Sequence, residues 1–278
     1  KVDEKKRKYT DKKMSKEQNK YQEEIGLSTL QRYTGSNVGD FKEYILLVNF
    51  PSYLENFSKL YQSSQTQGTV MKTVHSEKLN ISVINYGVGS PVAALVIDLL
   101  SFIKPKAVLM IGMCGGLRQD YQVGDFFNPV AAVRGEGTSD AYMPPQIPSL
   151  SSFTLQRTVV ETLEKQHLPY HTGVIHTTNI RFWEFDKNFI NTLKEERVQA
   201  IDMECATLFT AGYAKEVPIG ALMLISDLPL KQKGIKTDES AKEIFRKHSQ
   251  KHLKVGIDIL QNIQVNVQGN PNQEYSYF

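Results

Sequence analysis

Several things are scarce in this sequence of 278 residues. There are two cysteines, Cys114 and Cys205, and no CxxC pair. That removes a disulfide scaffold and a cysteine-based zinc site and suits a reducing compartment. His75, His167, His171 and His176 lack metal-ligand spacing, so no metal is assigned to them. No apolar run reaches membrane-spanning length, and no signal peptide is evident. The net charge is only +3, with the excess mostly at the N-terminus, a balance too weak for a nucleic-acid binder. Neither GxGxxG nor GK[S/T] spacing occurs, so neither common nucleotide loop is present. These absences leave a cytoplasmic protein with no nucleic-acid or membrane partner.

What is present suffices for a sizeable core, since 40% of the residues are hydrophobic. The chain divides into a charged extension over residues 1–40, a globular domain over 41–264 and a polar tail over 265–278. Lys1–Gln22 is nearly devoid of apolar residues and reads as a solvated helix or a disordered arm. A short helix and a turn follow within Leu27–Phe41. Tyr44–Val48 is a buried strand, and Asn49 or Ser52 is placed to cap a helix through Tyr61. Thr69–Val74 and Leu79–Tyr86 alternate as a hairpin. Ser90 as cap and Pro91 in the first turn start a helix through Phe102. Ala107–Ile111 is a buried strand running into the glycine-rich turn 112–118, where backbone N–H groups are positioned to face an anion or a sugar. Val123–Arg134 reads as a strand pair broken by Pro129. A flexible loop over Gly135–Pro145, a helix over Ser151–Gln166 and a strand over Tyr170–Thr177 come next. Ser240–Ile263 is the final amphipathic helix. Strands alternating with helices indicate one α/β domain around a mixed sheet.

Two stretches carry the features best suited to chemistry. Val198–Leu230 holds an apolar run into Asp202-Met203-Glu204, a helix with small residues on one face, and a buried strand ending at Ser226-Asp227. Asp202 is a candidate cap, which puts Glu204 in the first turn, where the helix dipole favours an acid. Asp227 falls at the carboxyl end of a strand, where open α/β sheets bind ligands. Singly, each acid reads equally as a cap or turn residue; as a pair they lean towards chemistry. The second stretch, Thr177–Glu184, sets the only tryptophan, Trp183, between Arg181-Phe182 and Glu184, a wall suited to a flat heterocycle or to covering the core.

Taken in order, Asn85–Pro91, Met110–Arg118, the Gly135–Pro145 loop, Thr177–Glu184, Asp202–Glu204 and Ser226-Asp227 resemble the nucleoside phosphorylase/nucleosidase superfamily. Arg32–Gly35, Gly115–Arg118, Arg181–Glu184 and Ser226–Leu230 resemble its AMP nucleosidase branch. The resemblance spans roughly Leu30 to Leu260. It implies a three-layer αβα sandwich around a mixed, partly barrel-like β-sheet. It implies hydrolysis of AMP to adenine and ribose 5-phosphate without metal or organic cofactor. Asp227 would protonate purine N7, Glu204 would accept hydrogen bonds from the ribose hydroxyls, and Met203 would pack on the sugar. Phe182 or Trp183 would flank the base, and the turn containing Gly115 and Gly116 would lie beneath the ribose. For the 5′-phosphate, Arg134, Arg181, Arg118 and Arg32 are candidates, with Thr138 and Ser139 as hydroxyl donors. Relatives are dimers or trimers of dimers, so a homo-oligomer is implied, with Arg32 able to reach a neighbouring site.

The departures bear on the nucleophile. Where phosphorylases carry phosphate-binding arginines, this chain has Met110 and Asn49-Phe50-Pro51-Ser52, and Met113 replaces a serine. Inorganic phosphate loses its charge-assisted contacts, which favours water. The base that activates this water stays open between Glu204 and simple positioning by the glycine-rich turn. Longer bacterial members carry an additional regulatory N-terminal domain; this chain lacks it, so allosteric control of that kind is not expected. A phosphorylase or other purine nucleosidase, and a nucleotide sensor without catalysis, are the alternatives.

Overall fold

The computed structural model describes residues 16–269. Most of the charged arm expected over 1–22, and residues 270–278 of the tail, lie outside them. In chain order the elements are α1 (Lys16–Thr34), β1 (Tyr44–Val48), α2 (Pro51–Tyr61), β2 (Gln65–Gln67), β3 (Lys72–Ser76), β4 (Ile81–Asn85), α3 (Ser90–Leu100), β5 (Ala107–Gly116), β6 (Phe126–Gly135), β7 (Ser149–Leu150), α4 (Phe153–Lys165), β8 (Tyr170–Thr178), α5 (Lys187–Glu195), β9 (Ala200–Asp202), α6 (Cys205–Ala214), β10 (Ile219–Asp227) and α7 (Asp238–Gly269).

All ten strands join one mixed sheet, ordered β10-β6-β8-β9-β5-β1-β4-β3-β2, with β7 on β6. A further pairing of β10 with β5 closes β5, β10, β6, β8 and β9 into a five-stranded barrel. The remaining strands extend from β5 as an open wing. The fully buried strand β1 shows how the layers form, because alternate side chains leave on opposite faces. Ile45 and Leu47 enter one core with α1, α3 and α6 residues such as Leu30, Ile97 and Phe209. Tyr44, Leu46 and Val48 enter the other with α2, α4 and α7 residues such as Phe57, Leu155 and Leu260. The expected αβα sandwich with a partly barrel-like sheet is the one observed.

Several local expectations are corrected. The glycine-rich segment is no turn: β5 continues to Gly116, paired with β10 to Gly115 and with β9 at Gly115 and Gly116. Its glycines answer to crowding. A Cβ on Gly112 would stand 2.4 Å from Met110 Cε, and one on Gly116 2.9 Å from Leu228 Cδ2. Phe126–Gly135 is one strand with a register shift at Pro129, not a pair; proline removes a ladder donor, and a bulge absorbs the loss. Phe50, not Asn49 or Ser52, is the residue before α2, with Pro51 opening the helix. Gly89 takes that place before α3, and Ser90 Oγ instead donates to the Met203 carbonyl. The short strand β2 and helix α5 were not expected. α7 runs on to Gly269, past the expected boundary at 264.

Candidate active site

The strands run in two opposed senses. β1, β4, β5 and β10 are parallel to one another, whereas β9 meets β5 antiparallel and β6 meets β10 antiparallel. The ends of both sets converge on a cavity of about 290 Å³ beside the β5–β9 junction. Such a reversal of strand direction opens a crevice at carboxyl ends, where α/β sheets bind ligands. β1 contributes Asn49 and Phe50, β5 Met113, Cys114 and Gly115, the segment after β8 Ile180, Arg181, Trp183 and Glu184, β9 and the start of α6 Ile201–Glu204, and β10 Asp227. Val88 and Lys236 complete the wall. Four acids face two cations there, so the lining favours positive charge.

Asp202 is held tightly. Its Oδ1 accepts from Thr177 Oγ1 at 2.6 Å, and its Oδ2 from the backbone N–H of Glu204 (3.1 Å) and Cys205 (2.7 Å). It therefore satisfies orphan donors at the start of α6, although Glu204 and not Asp202 occupies the capping position itself. Burial pushes the Asp202 carboxyl above the usual range, opposed by these hydrogen bonds.

Glu204 is also buried, yet less fully satisfied. Its Oε1 accepts from the Gly89 N–H at 2.7 Å. Gly89 has φ +103°, a conformation that side-chain-bearing residues rarely adopt, and this turn is what aims the amide across the cavity. Burial, then the negative Asp202 beside it, raises the Glu204 pKa to about 8. A group that hydrogen-bonds to its charged form, as a pair of hydroxyls would, reverses that bias.

Asp227 is partly buried at the end of β10. Its Oδ1 lies 2.7 Å from Ser226 Oγ and 3.5 Å from Lys236 Nζ. Lys236 reaches it from the loop before α7, whose Leu228 N–H and Gly234 carbonyl are bonded at 3.1 Å. Glu204, at the start of α6, and Asp227, at the end of β10, thus stand on different elements and hold different partners.

Of the residues singled out from sequence, Asp227, Glu204, Met203, Gly115, Trp183 and Arg181 line the cavity. Trp183 is buried and packs with Leu117 and Ile201, so it forms wall rather than lid. Gly116, Phe182, Arg134, Thr138, Ser139, Arg118 and Arg32 are not on the cavity wall. Phe182 is exposed, with the Arg181 guanidinium 5.6 Å from its ring centre. Arg134 binds Ser139, Asp140 and the carbonyls of Met143, Pro144 and Ile147, which fixes its own loop. Arg118 binds the Arg197 carbonyl, and Arg32 is exposed over the Tyr33 ring. None of these three arginines lines this cavity.

Three polar or charged cavity residues were not selected as site residues from sequence: Asn49, Glu184 and Lys236. Asn49 sits directly after a recognisable strand, and Glu184 adjoins the tryptophan, so both had a signal. Lys236 had none, being one of 33 basic residues, brought in by a loop that closes on itself.

Comparison with known proteins identifies the family. The sequence pattern described as the phosphorylase superfamily matches residues 43–261. The chain belongs to that superfamily. It is 29% identical over 282 residues to AMP nucleosidase of Escherichia coli (strain K12), covering 84% of this chain and 57% of that protein. The chain thus spans little more than half the length of this curated relative. Among solved structures, AMP nucleosidase from Bacteroides thetaiotaomicron VPI-5482 superposes with a TM-score of 0.79 at 39% identity, covering 89% of this chain and 99% of that one. Uridine phosphorylase from Vibrio fischeri ES114 has a TM-score of 0.74 at 18% identity, which speaks for the fold alone. Among the described residues of this superfamily member, no helix is long and apolar enough to cross a membrane.

Proposed function

We propose that the protein hydrolyses the N-glycosidic bond of AMP, giving adenine and ribose 5-phosphate in the cytoplasm. The observation that carries this reading is the acid-lined cavity in which Glu204 and Asp227 stand apart with separate partners. Departure of the base leaves an oxocarbenium-like sugar, a transition state of growing positive charge. Carboxylates in a partly dry site stabilise such charge. Glu204 accepts hydrogen bonds from the two ribose hydroxyls, with Met203 beneath the sugar near Gly115. Asp227 delivers a proton to purine N7 and recovers one from the water that adds to the sugar, while the Lys236 ammonium, 3.5 Å from its Oδ1, holds it in position. Trp183 walls the base.

The nucleophile is water. The wall offers the thioether of Met113 and the carboxamide of Asn49 where a phosphate anion would need cations. Asn49 is 5% exposed, and its Oδ1 has no hydrogen-bond partner. It orients the attacking water without deprotonating it, which suffices for a highly dissociative reaction. The 5′-phosphate meets its cation across an oligomer contact: Arg32, exposed at the end of α1, reaches the site of a second copy.

Chromatography of products from AMP, with and without inorganic phosphate and with adenosine alongside, tests this reading. Adenine and ribose 5-phosphate from AMP alone, with adenosine inert, are the expected result. Cleavage of adenosine only with phosphate present would make the protein a phosphorylase. No turnover of either would favour a nucleotide sensor.

A further inference from the structure

Of the four acids on the cavity wall, Glu184 alone has no part in the scheme above, since Asp202 is consumed at the start of α6. Its side chain is only 4% exposed. Oε1 accepts from Arg181 Nη1 at 3.1 Å, while Oε2 is buried without any hydrogen-bond partner. A carboxylate oxygen sealed from water and left without a donor is costly, and a bound ligand that brings a donor removes the cost. The arrangement is asymmetric in a useful way. Arg181, itself 51% exposed, balances the charge from the solvent side, and Glu184 is one of the residues that line the cavity.

The position of Glu184 says which part of a substrate it meets. Glu184 follows Trp183, and Trp183 packs with Leu117 and Ile201 in a cluster that also takes in Leu230, three residues beyond Asp227. Glu204 is tied instead to Gly89, beyond β4 on the open wing of the sheet. Trp183 is assigned above to the wall of the base, and Glu184, next to it on the cavity wall, is placed with the base. In a purine, N7 and the substituent on C6 share one edge of the ring. A base whose N7 faces Asp227 turns its C6 substituent towards the neighbouring wall. Adenine carries an N–H donor there, which matches an open carboxylate oxygen; a 6-oxo purine carries an acceptor, which does not.

We propose that Glu184 Oε2 accepts a hydrogen bond from the 6-amino group of the purine and makes this site selective for 6-aminopurines. The proposal rests on the reading of the cavity as a purine nucleotide site. It makes Glu184 a specificity residue, with Arg181 positioning it.

The test compares AMP with purine riboside 5′-phosphate, which lacks the 6-amino group, and with IMP, in the wild type, Glu184→Met and Glu184→Gln. The wild type should prefer AMP over purine riboside 5′-phosphate by roughly 10- to 100-fold in kcat/KM, the worth of a hydrogen bond to a charged group. Glu184→Met should lose that preference by slowing AMP and sparing the unsubstituted substrate. Glu184→Gln, which keeps a carbonyl acceptor, should fall between the two. Equal losses on AMP and purine riboside 5′-phosphate would reduce Glu184 to a prop for Arg181 and overturn the proposal. So would IMP turnover by the wild type at an efficiency like that of AMP. If the wild type cleaves nucleosides rather than nucleotides, the AMP reading fails alone, and adenosine against purine riboside decides the 6-amino contact in the same three proteins.

Discussion

The loop around Arg134 and the wall around Glu204 both bury charge, and they treat it in opposite ways. Arg134 has a side chain only 7% exposed, and its guanidinium is bound by Asp140, Ser139 and three backbone carbonyls. Every direction in which it can donate is filled from within one loop. On the cavity wall, Glu184 Oε2 and Asn49 Oδ1 are buried without partners, and the pKa of Glu204 is lifted to about 8. A saturated charge builds structure, whereas an unsaturated one is held ready for something that arrives. Both regions drew attention in the sequence as charged or polar clusters; only the count of satisfied partners separates them.

The largest break in that contrast should come at Asp227. Asp227→Asn keeps the shape and removes the proton donor, so kcat on AMP should fall about 10³-fold, within the range general acid catalysis supplies. AMP affinity, read by calorimetry, should change little. Near-normal turnover would remove Asp227 from the chemistry and leave it as the partner of Lys236.

Glu204→Gln comes next, with a loss in kcat/KM of about 10²-fold, the scale on which one preorganised electrostatic contact acts. Its pH profile carries more information than the size of the loss. The ionised carboxylate is the better acceptor for hydroxyls, and with a pKa about 8 that form grows as pH rises. The wild-type kcat/KM should climb between pH 6 and pH 8, and the variant should lack this limb. An identical limb in both proteins would place the titration elsewhere.

The loop supplies the opposing case. Arg134→Met should leave kcat on AMP within a few-fold of the wild type while lowering stability by about 2–3 kcal/mol in urea titrations, because three carbonyls lose a buried charged donor. A large loss of kcat with unchanged stability would return Arg134 to the site.

How much of this was legible in the sequence follows the same division. Strand β1 and the cores of β5, β8 and β10 were visible because runs such as Tyr44–Val48 and Ile219–Ile225 are apolar without interruption. Asp202, Glu204 and Asp227 were visible because they punctuate such runs. The extension of β5 through Gly112–Gly116 was not, since glycine in sequence signals a turn, and only the crowding of Met110, Leu228 and Ile201 explains it in a strand. The closure of the barrel by β10 on β5 is a long-range pairing with no local signal. Arg134 and Arg181 look alike in sequence; what sets them apart is where their neighbours' carbonyls point.

The smallest effect has the least expected sign, because removing a charged group from the site should make the fold more stable. Glu204 has a folded pKa of about 8 against an ordinary 4.5. Below pH 4.5 the group is protonated whether folded or unfolded, and it costs nothing. Between the two values the unfolded chain ionises freely while the folded one holds its proton. The stability present at low pH is therefore lost as pH rises towards 8 and stays lost above it. Glutamine cannot ionise, and its carbonyl still accepts the Gly89 N–H. Glu204→Gln should match the wild type near pH 4.5 and exceed it at pH 8 by about 2 kcal/mol, a cautious figure beside the 1.36 kcal/mol that each unit represents. The titrations of Asp202 and Glu204 are linked, so the difference between the two proteins' urea midpoints reports on the pair. Midpoints that stay parallel across this range would show that Glu204 is ionised in the folded protein at neutral pH. The wall would then be as settled as the Arg134 loop.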